Sequence, residues 1–129
     1  MANPIRKVLI VEDDLILNLL FRSYMEKLGY EAVGELISGQ MAIEAARKVN
    51  PMLILMDITL EGEMDGIQAM QKIQTFSDAP VIYITGNSDS YHRGRARETG
   101  FLDYLIKPIV FEELKASVEK HIDTIHKTT

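Results

Sequence analysis

The run Met52-Leu53-Ile54-Leu55-Met56-Asp57, continued by Ile58-Thr59-Leu60, decides the fold. Five apolar residues lead straight into one carboxylate. A run this short, apolar on both alternating faces, reads as a strand covered on both sides. Pro51 ahead of it is compatible with a strand start. The strand then places Asp57 at its carboxyl end, where open α/β sheets bind their ligands. Asp is also a common turn residue, so Asp57 taken alone could do no more than cap the next loop. The other strands decide between the two.

On the amino side, Lys7–Val11 is a short apolar strand followed at once by Glu12-Asp13-Asp14. Residues 15–28 suit a helix with Leu15, Leu19, Leu20, Met25 and Leu28 as its apolar positions, Asp14 as N-cap and Gly29 just past its end. Residues 30–34 form a weaker strand. Ser38-Gly39 opens a helix over 40–49 that packs through Ala42, Ile43, Ala46 and Val49, and Asn50-Pro51 ends it.

On the carboxyl side, 60–66 is a loop containing Gly62, Asp65 and Gly66, and a helix follows over 67–76. Residues 80–85 are an apolar strand broken by Gly86-Asn87. Residues 88–99 form a helix weakened by Gly94 and closed by Gly100. A strand over 101–106 leads to Lys107-Pro108. A single amphipathic helix over 110–126 completes the chain through Val110, Leu114, Val118, Ile122 and Ile125. Five strand-then-helix units predict an α/β fold, a doubly wound parallel sheet with helices on both faces.

Composition sets the outer bounds. A chain of 129 residues, 47% hydrophobic, is one domain with enough apolar residues for a core. A net charge of -5 argues against a nucleic-acid-binding domain. The absence of cysteine excludes disulfides, thiolate metal sites and cysteine nucleophiles. No apolar run approaches the roughly 18 residues that span a membrane. A cytoplasmic setting without membrane contact is expected.

A parallel sheet brings the strand ends to one edge. The first strand delivers Glu12, Asp13 and Asp14, the third Asp57, the fourth Thr85 and the fifth Lys107. Carboxylates crowded together repel and call for a cation. Oxygen donors without His or Cys suit Mg2+. A lysine and a hydroxyl beside such an ion form a cradle for a phosphoryl group, toward which an aspartate is a competent nucleophile. Each residue also has a plainer reading: a solvated acidic turn, a β-branched strand residue, a surface lysine. Their shared position at the same end of different strands favours the joint site.

The set Val11-Glu12-Asp13-Asp14, Asp57, Met64-Asp65-Gly66, Thr85 and Asp103-Tyr104-Leu105-Ile106-Lys107-Pro108 closely resembles the receiver domain of two-component response regulators. The resemblance covers nearly all of residues 1–129 as a single domain and implies the flavodoxin-like strand order 2-1-3-4-5. It implies Asp57 as phosphoacceptor and Mg2+ or Mn2+ as cofactor. Glu12 and Asp13 match the acidic pair that holds the ion, with the Thr59 backbone carbonyl and Asp57. Thr85 and Lys107 match the residues that bind phosphoryl oxygens, and Tyr104 the aromatic switch that turns inward behind Thr85. Lys107-Pro108 is expected to be cis. Partners implied are a histidine kinase or phosphotransfer domain, a downstream target or fused output domain, and a homodimer through the fourth helix, fifth strand and fifth helix.

Two departures from the family pattern bear on the loop after Asp57. Glu61 stands where receivers often carry proline, and the loop is one residue longer than usual. Thr59 and Asn87 occupy the positions that influence hydrolysis of the acyl phosphate. Two other functions compete. A phosphatase of the haloacid-dehalogenase type would need an acid where Thr59 stands, and a phosphorylation-independent interaction domain would not need the full site. Arg93, Arg95 and Arg97 beside His92 read first as a solvated helix face, second as a patch for an acidic partner.

Overall fold

The computed structural model describes residues 6–86 and 90–127. Its order is β1 (Lys7–Val11), α1 (Leu15–Lys27), β2 (Glu31–Leu36), α2 (Gly39–Val49), β3 (Leu53–Asp57), α3 (Gly66–Ile73), β4 (Val81–Thr85), α4 (Ser90–Arg97), β5 (Asp103–Ile106), α5 (Phe111–Lys120) and α6 (Ile122–Ile125). The strands form one parallel sheet in the order β2-β1-β3-β4-β5. This is the expected doubly wound flavodoxin-like arrangement. No described helix is long and apolar enough to cross a membrane.

Alternation along the strands builds two cores. Leu9, Val11, Ile54, Met56, Val81 and Tyr83 pack on one face with Ala42 and Ala46 of α2 and Ile67, Met70 and Ile73 of α3. Val8, Ile10, Leu53, Leu55, Ile82 and Ile84 pack on the other with Phe21 and Met25 of α1 and Leu114 and Val118 of α5. Every residue of β3 and β4 is buried, as a central strand covered on both faces requires. Each large apolar side chain so enclosed stabilises the fold by roughly 1.5–3 kcal/mol.

The caps follow local chemistry. Asp14 caps α1 by accepting the N–H groups of Ile16 and Leu17. Asp65 and Gln68 form a reciprocal capping box at the start of α3. The Lys107–Pro108 bond is cis, as expected.

The structure corrects three expectations and leaves one outside the described residues. In α1, Leu15 and Leu19 are 56% and 64% exposed, and the buried face is Asn18, Phe21 and Met25. The helix turns a polar residue inward because that residue has hydrogen-bonding work between β1 and β2. β2 runs on to Leu36 through a register shift against β1. The last helix is interrupted at His121, so α5 and α6 are separate. Ser88, the expected start of the fourth helix, lies outside the described residues, and α4 is described from Ser90.

Candidate functional site

β1, β3 and β5 bring Glu12, Asp13, Asp57 and Lys107 to the carboxyl edge, around a cleft of about 380 Å³ that Asp14, Leu17, Thr59 and Gly86 also line. Asp57 ends β3 and is only 3% exposed, so its carboxylate is fixed by its neighbours. One of its oxygens accepts the Thr59 N–H at 3.0 Å, and the other meets the Lys107 ammonium at 3.1 Å. Lys107 Nζ also lies 2.6 Å from Glu12 Oε1. Glu12 Oε2 accepts the Asp14 N–H at 3.0 Å.

One ammonium therefore serves two buried carboxylates. Burial pushes the Glu12 carboxyl up to about 7, against the downward pull of its hydrogen bonds from Lys107 and the Asp14 amide; the Asp57 charge adds to the rise. Burial would lower the Lys107 ammonium, but the hydrogen bond to Glu12 and the Asp57 charge outweigh it and hold it above its ordinary value. Glu12, Asp13 and Asp57 each offer an oxygen, and these atoms lie within 4.8 Å of one another. An all-oxygen set that is short of positive charge fits a hard divalent cation.

The loop after Asp57 explains one departure noted above. The Glu61 N–H donates to Asp13 Oδ2 at 3.0 Å, a bond that proline could not make. Leu60 is buried and Met64 packs against the same core, which seats the longer loop. Gly66 opens α3 directly behind the strand end, and its N–H donates to the Ile58 carbonyl at 2.8 Å. A Cβ at Gly66 would stand 2.1 Å from the Asp57 carbonyl oxygen, so only glycine fits.

Thr85 ends β4 fully buried, with its carbonyl accepting the Lys107 N–H at 2.8 Å. Its neighbour Gly86 borders the cleft. Asn87 lies outside the described residues. Tyr104 stands away from the cleft on the face shared with α2 and α3, already 6% exposed, against Phe101 and Tyr83. The inward turn expected of this ring meets a ring that is inside. The arginines of α4 are not all solvated: Arg93 Cζ sits 4.5 Å from the centre of the Tyr104 ring, and Arg95 pairs with Asp65 at 2.7 Å.

Asn18 was missed by sequence reasoning. Its amide nitrogen donates to the carbonyls of Ile10 at 3.3 Å, Glu12 at 3.2 Å and Leu36 at 3.2 Å. It thereby fixes the turn that carries Glu12 and Asp13. A buried polar residue in a helix has no apolar periodicity to announce it. The available signal was its position one turn past the acidic run.

Comparison with known proteins agrees with this fold. Residues 8–119 match the family described as response regulator receiver domain. The chain is 33% identical over 124 residues to the transcriptional regulatory protein PdtaR of Mycobacterium tuberculosis, covering 96% of this chain and 60% of that protein. It is 32% identical over 126 residues to the probable C4-dicarboxylate response regulator DctR of Halalkalibacterium halodurans, covering 96% and 54% respectively. Among solved structures, the signal receiver domain of a modulated diguanylate cyclase from Desulfovibrio desulfuricans G20 superposes with a TM-score of 0.85 at 31% identity, covering 95% of this chain and 97% of that one. The receiver domain of the sensor histidine kinase PA1611 from Pseudomonas aeruginosa PAO1, solved with magnesium coordinated in its active-site cleft, superposes with a TM-score of 0.79 at 26% identity, covering 91% and 97%.

The chain belongs to the response regulator receiver domain family and is a signalling domain of two-component systems. It spans between about half and three fifths of the length of these curated relatives.

Proposed function

We propose that this receiver takes a phosphoryl group from a histidine kinase or phosphotransfer domain onto Asp57. The observation that carries the reading is the Asp57 carboxylate, buried at a strand end, within 3.1 Å of the Lys107 ammonium and beside Glu12 and Asp13. An Asp57 oxygen attacks phosphorus as the phosphorus–nitrogen bond of a phosphohistidine breaks. A phosphorus–oxygen bond forms, and the imidazole leaves with the electron pair. Lys107 and the Thr85 hydroxyl receive the phosphoryl oxygens, and Lys107 meets the charge that grows on them. Glu12, Asp13, Asp57 and the Thr59 backbone carbonyl would hold Mg2+ or Mn2+, and the ion would supply neutralising charge. The wedge of negative charge at Asp57 is read through Thr85 and Tyr104.

The rest of the assignment is built on that site. The output face is α4, β5 and α5, either as a homodimer contact or as a surface for a downstream target or fused output domain. The unit acts as one cytoplasmic domain, with no direct contact of its own with nucleic acid or membrane. A haloacid-dehalogenase-type phosphatase would require a carboxylate at position 59, where threonine stands.

The test is acetyl phosphate with Mg2+, followed by intact-mass spectrometry. One added phosphoryl group is expected, absent from Asp57→Asn. Labelling that survives this substitution, or that proceeds in excess chelator, refutes the assignment.

A further inference from the structure

α4 is held to the domain by little apolar contact. Ala96 is the one residue of α4 that is buried, whereas α3 buries five. Polar and ring contacts at the tips of its side chains therefore carry a large share of its attachment. Two neighbouring arginines, one on each side of Gly94, make them. Arg93 lies over the Tyr104 ring of β5. Arg95 reaches the loop ahead of α3, where its Nη1 donates to Asp65 Oδ2 at 2.7 Å and its Nη2 to Asp65 Oδ1 at 3.3 Å. Both prongs of the guanidinium are engaged, the geometry that gives an Arg–carboxylate pair its directional stiffness.

Asp65 is itself tied to α3. Its Oδ1 accepts the Gln68 N–H at 2.9 Å and its own N–H donates to Gln68 Oε1 at 2.9 Å, which closes the box at the start of α3. The next residue is Gly66, whose N–H donates to the Ile58 carbonyl at 2.8 Å and whose Cα is pressed against the Asp57 carbonyl. A continuous line of tight contacts thus runs from the backbone of Asp57 through Gly66 and Asp65 to Arg95. It is separate from the route through Thr85 and Tyr104.

We propose that Arg95 is a positioning residue that couples α4 to the loop behind Asp57, so that a change of occupancy at Asp57 reaches α4 through Asp65 as well as through Tyr104. The inference rests on Asp57 as the phosphoacceptor. It assigns α4 two anchors of different chemistry: a ring contact to β5 that responds to packing, and an ion pair to the α3 cap that responds to displacement of the strand end. Arg97, two residues on, is exposed and makes no such contact among the described residues.

The experiment is hydrogen exchange by mass spectrometry over residues 90–97, with and without beryllofluoride and Mg2+. It compares the wild-type chain, Arg95→Gln, Arg95→Lys, Asp65→Asn and the double variant Arg95→Gln with Asp65→Asn. Asn keeps the N-cap while losing the charge, and Lys keeps the charge while losing the two-pronged geometry. The beryllofluoride-induced change over 90–97 is expected to fall about threefold or more in Arg95→Gln and in Asp65→Asn, and no further in the double variant, as for two ends of one contact. Arg95→Lys should fall between these and wild type. Acetyl phosphate labelling of Asp57 should persist in all of them.

A merely structural Arg95 would raise exchange equally in both states and leave the difference intact, and that result overturns the proposal. Effects of the two single variants that add in the double overturn it as well, as does a wild-type chain that is labelled at Asp57 yet unchanged over 90–97. A wild-type chain that takes no phosphoryl group refutes the phosphoacceptor reading itself, and this inference with it.

Discussion

Gly66→Ala tests whether the site depends on the close approach of α3 to the end of β3. The added Cβ would lie 2.1 Å from the Asp57 carbonyl oxygen, 2.8 Å from Met56 Cγ and 2.9 Å from the Asp57 carbonyl carbon. Real Cβ contacts stay beyond 3.0 Å, so roughly 0.9 Å must be found by moving backbone. The start of α3 resists, because Asp65 and Gln68 box it and the Gly66 N–H is bonded to Ile58. The end of β3 resists, because it is paired on both sides by β1 and β4. Overpacking of this kind costs about 1–3 kcal/mol. For a domain of this size each kcal/mol lowers Tm by roughly 3–6 °C, so a fall of about 3–18 °C is expected by calorimetry. The displaced strand end carries Asp57, the proposed phosphoacceptor, and misplacement of a reacting group by about 1 Å can cost on the order of 100-fold in rate. Acetyl phosphate labelling should therefore slow by roughly tenfold or more. Gly94→Ala is the control. Nothing lies within 4 Å of its added Cβ, and the position is inside α4, so the change should stabilise by roughly 0.5–1 kcal/mol. A Gly66→Ala protein with Tm within about 2 °C of wild type and an unchanged labelling rate would refute the reasoning.

Two further outcomes follow from the electrostatics. Lys107→Met removes the cation between Glu12 and Asp57, so Mg2+ should bind roughly tenfold tighter by titration calorimetry while acetyl phosphate labelling is lost; weaker binding contradicts the charge balance drawn above. His126, hydrogen-bonded to the Tyr30 hydroxyl, is held below its usual value first by burial and then by the Arg6 charge. Its stabilising contribution is complete above its unfolded value of about 6.5 and is lost as pH falls through the lower folded value. Urea midpoints for wild type should therefore drop between about pH 7 and pH 5 more steeply than for His126→Phe, and parallel curves would count against this.

The fold and the clustering of Glu12, Asp13, Asp57 and Lys107 at one edge were legible because one rule covers both. A parallel sheet sends every strand's last residue to one edge, so finding Asp57, the acids after Val11 and Lys107 required only the strands. The same reading misplaced the face of α1. Leu15 and Leu19 have helical spacing, yet they lie outward because Asn18 is drawn inward by three carbonyls that no hydrophobic pattern registers. The interruption at His121 carries neither glycine nor proline to mark it. The Arg95–Asp65 pair was invisible because its partners stand 30 positions apart on different elements, and charged residues on a helix read by default as solvated.

Asn18 also defines a way for the domain to age. Its side-chain NH2 group shares two hydrogens among three carbonyl oxygens, so replacing it by oxygen would turn attraction into repulsion at all three without altering the shape of the side chain. Deamidation makes that replacement. The surrounding helix and the burial of Asn18 shield the folded chain, whereas a chain that spends time unfolded is exposed to the reaction. Damage at this residue would leave size, composition and nearly all of the mass untouched while loosening the turn that presents Glu12 and Asp13. A preparation that has passed through the unfolded state is thus the one in which the fraction intact at Asn18 measures remaining competence.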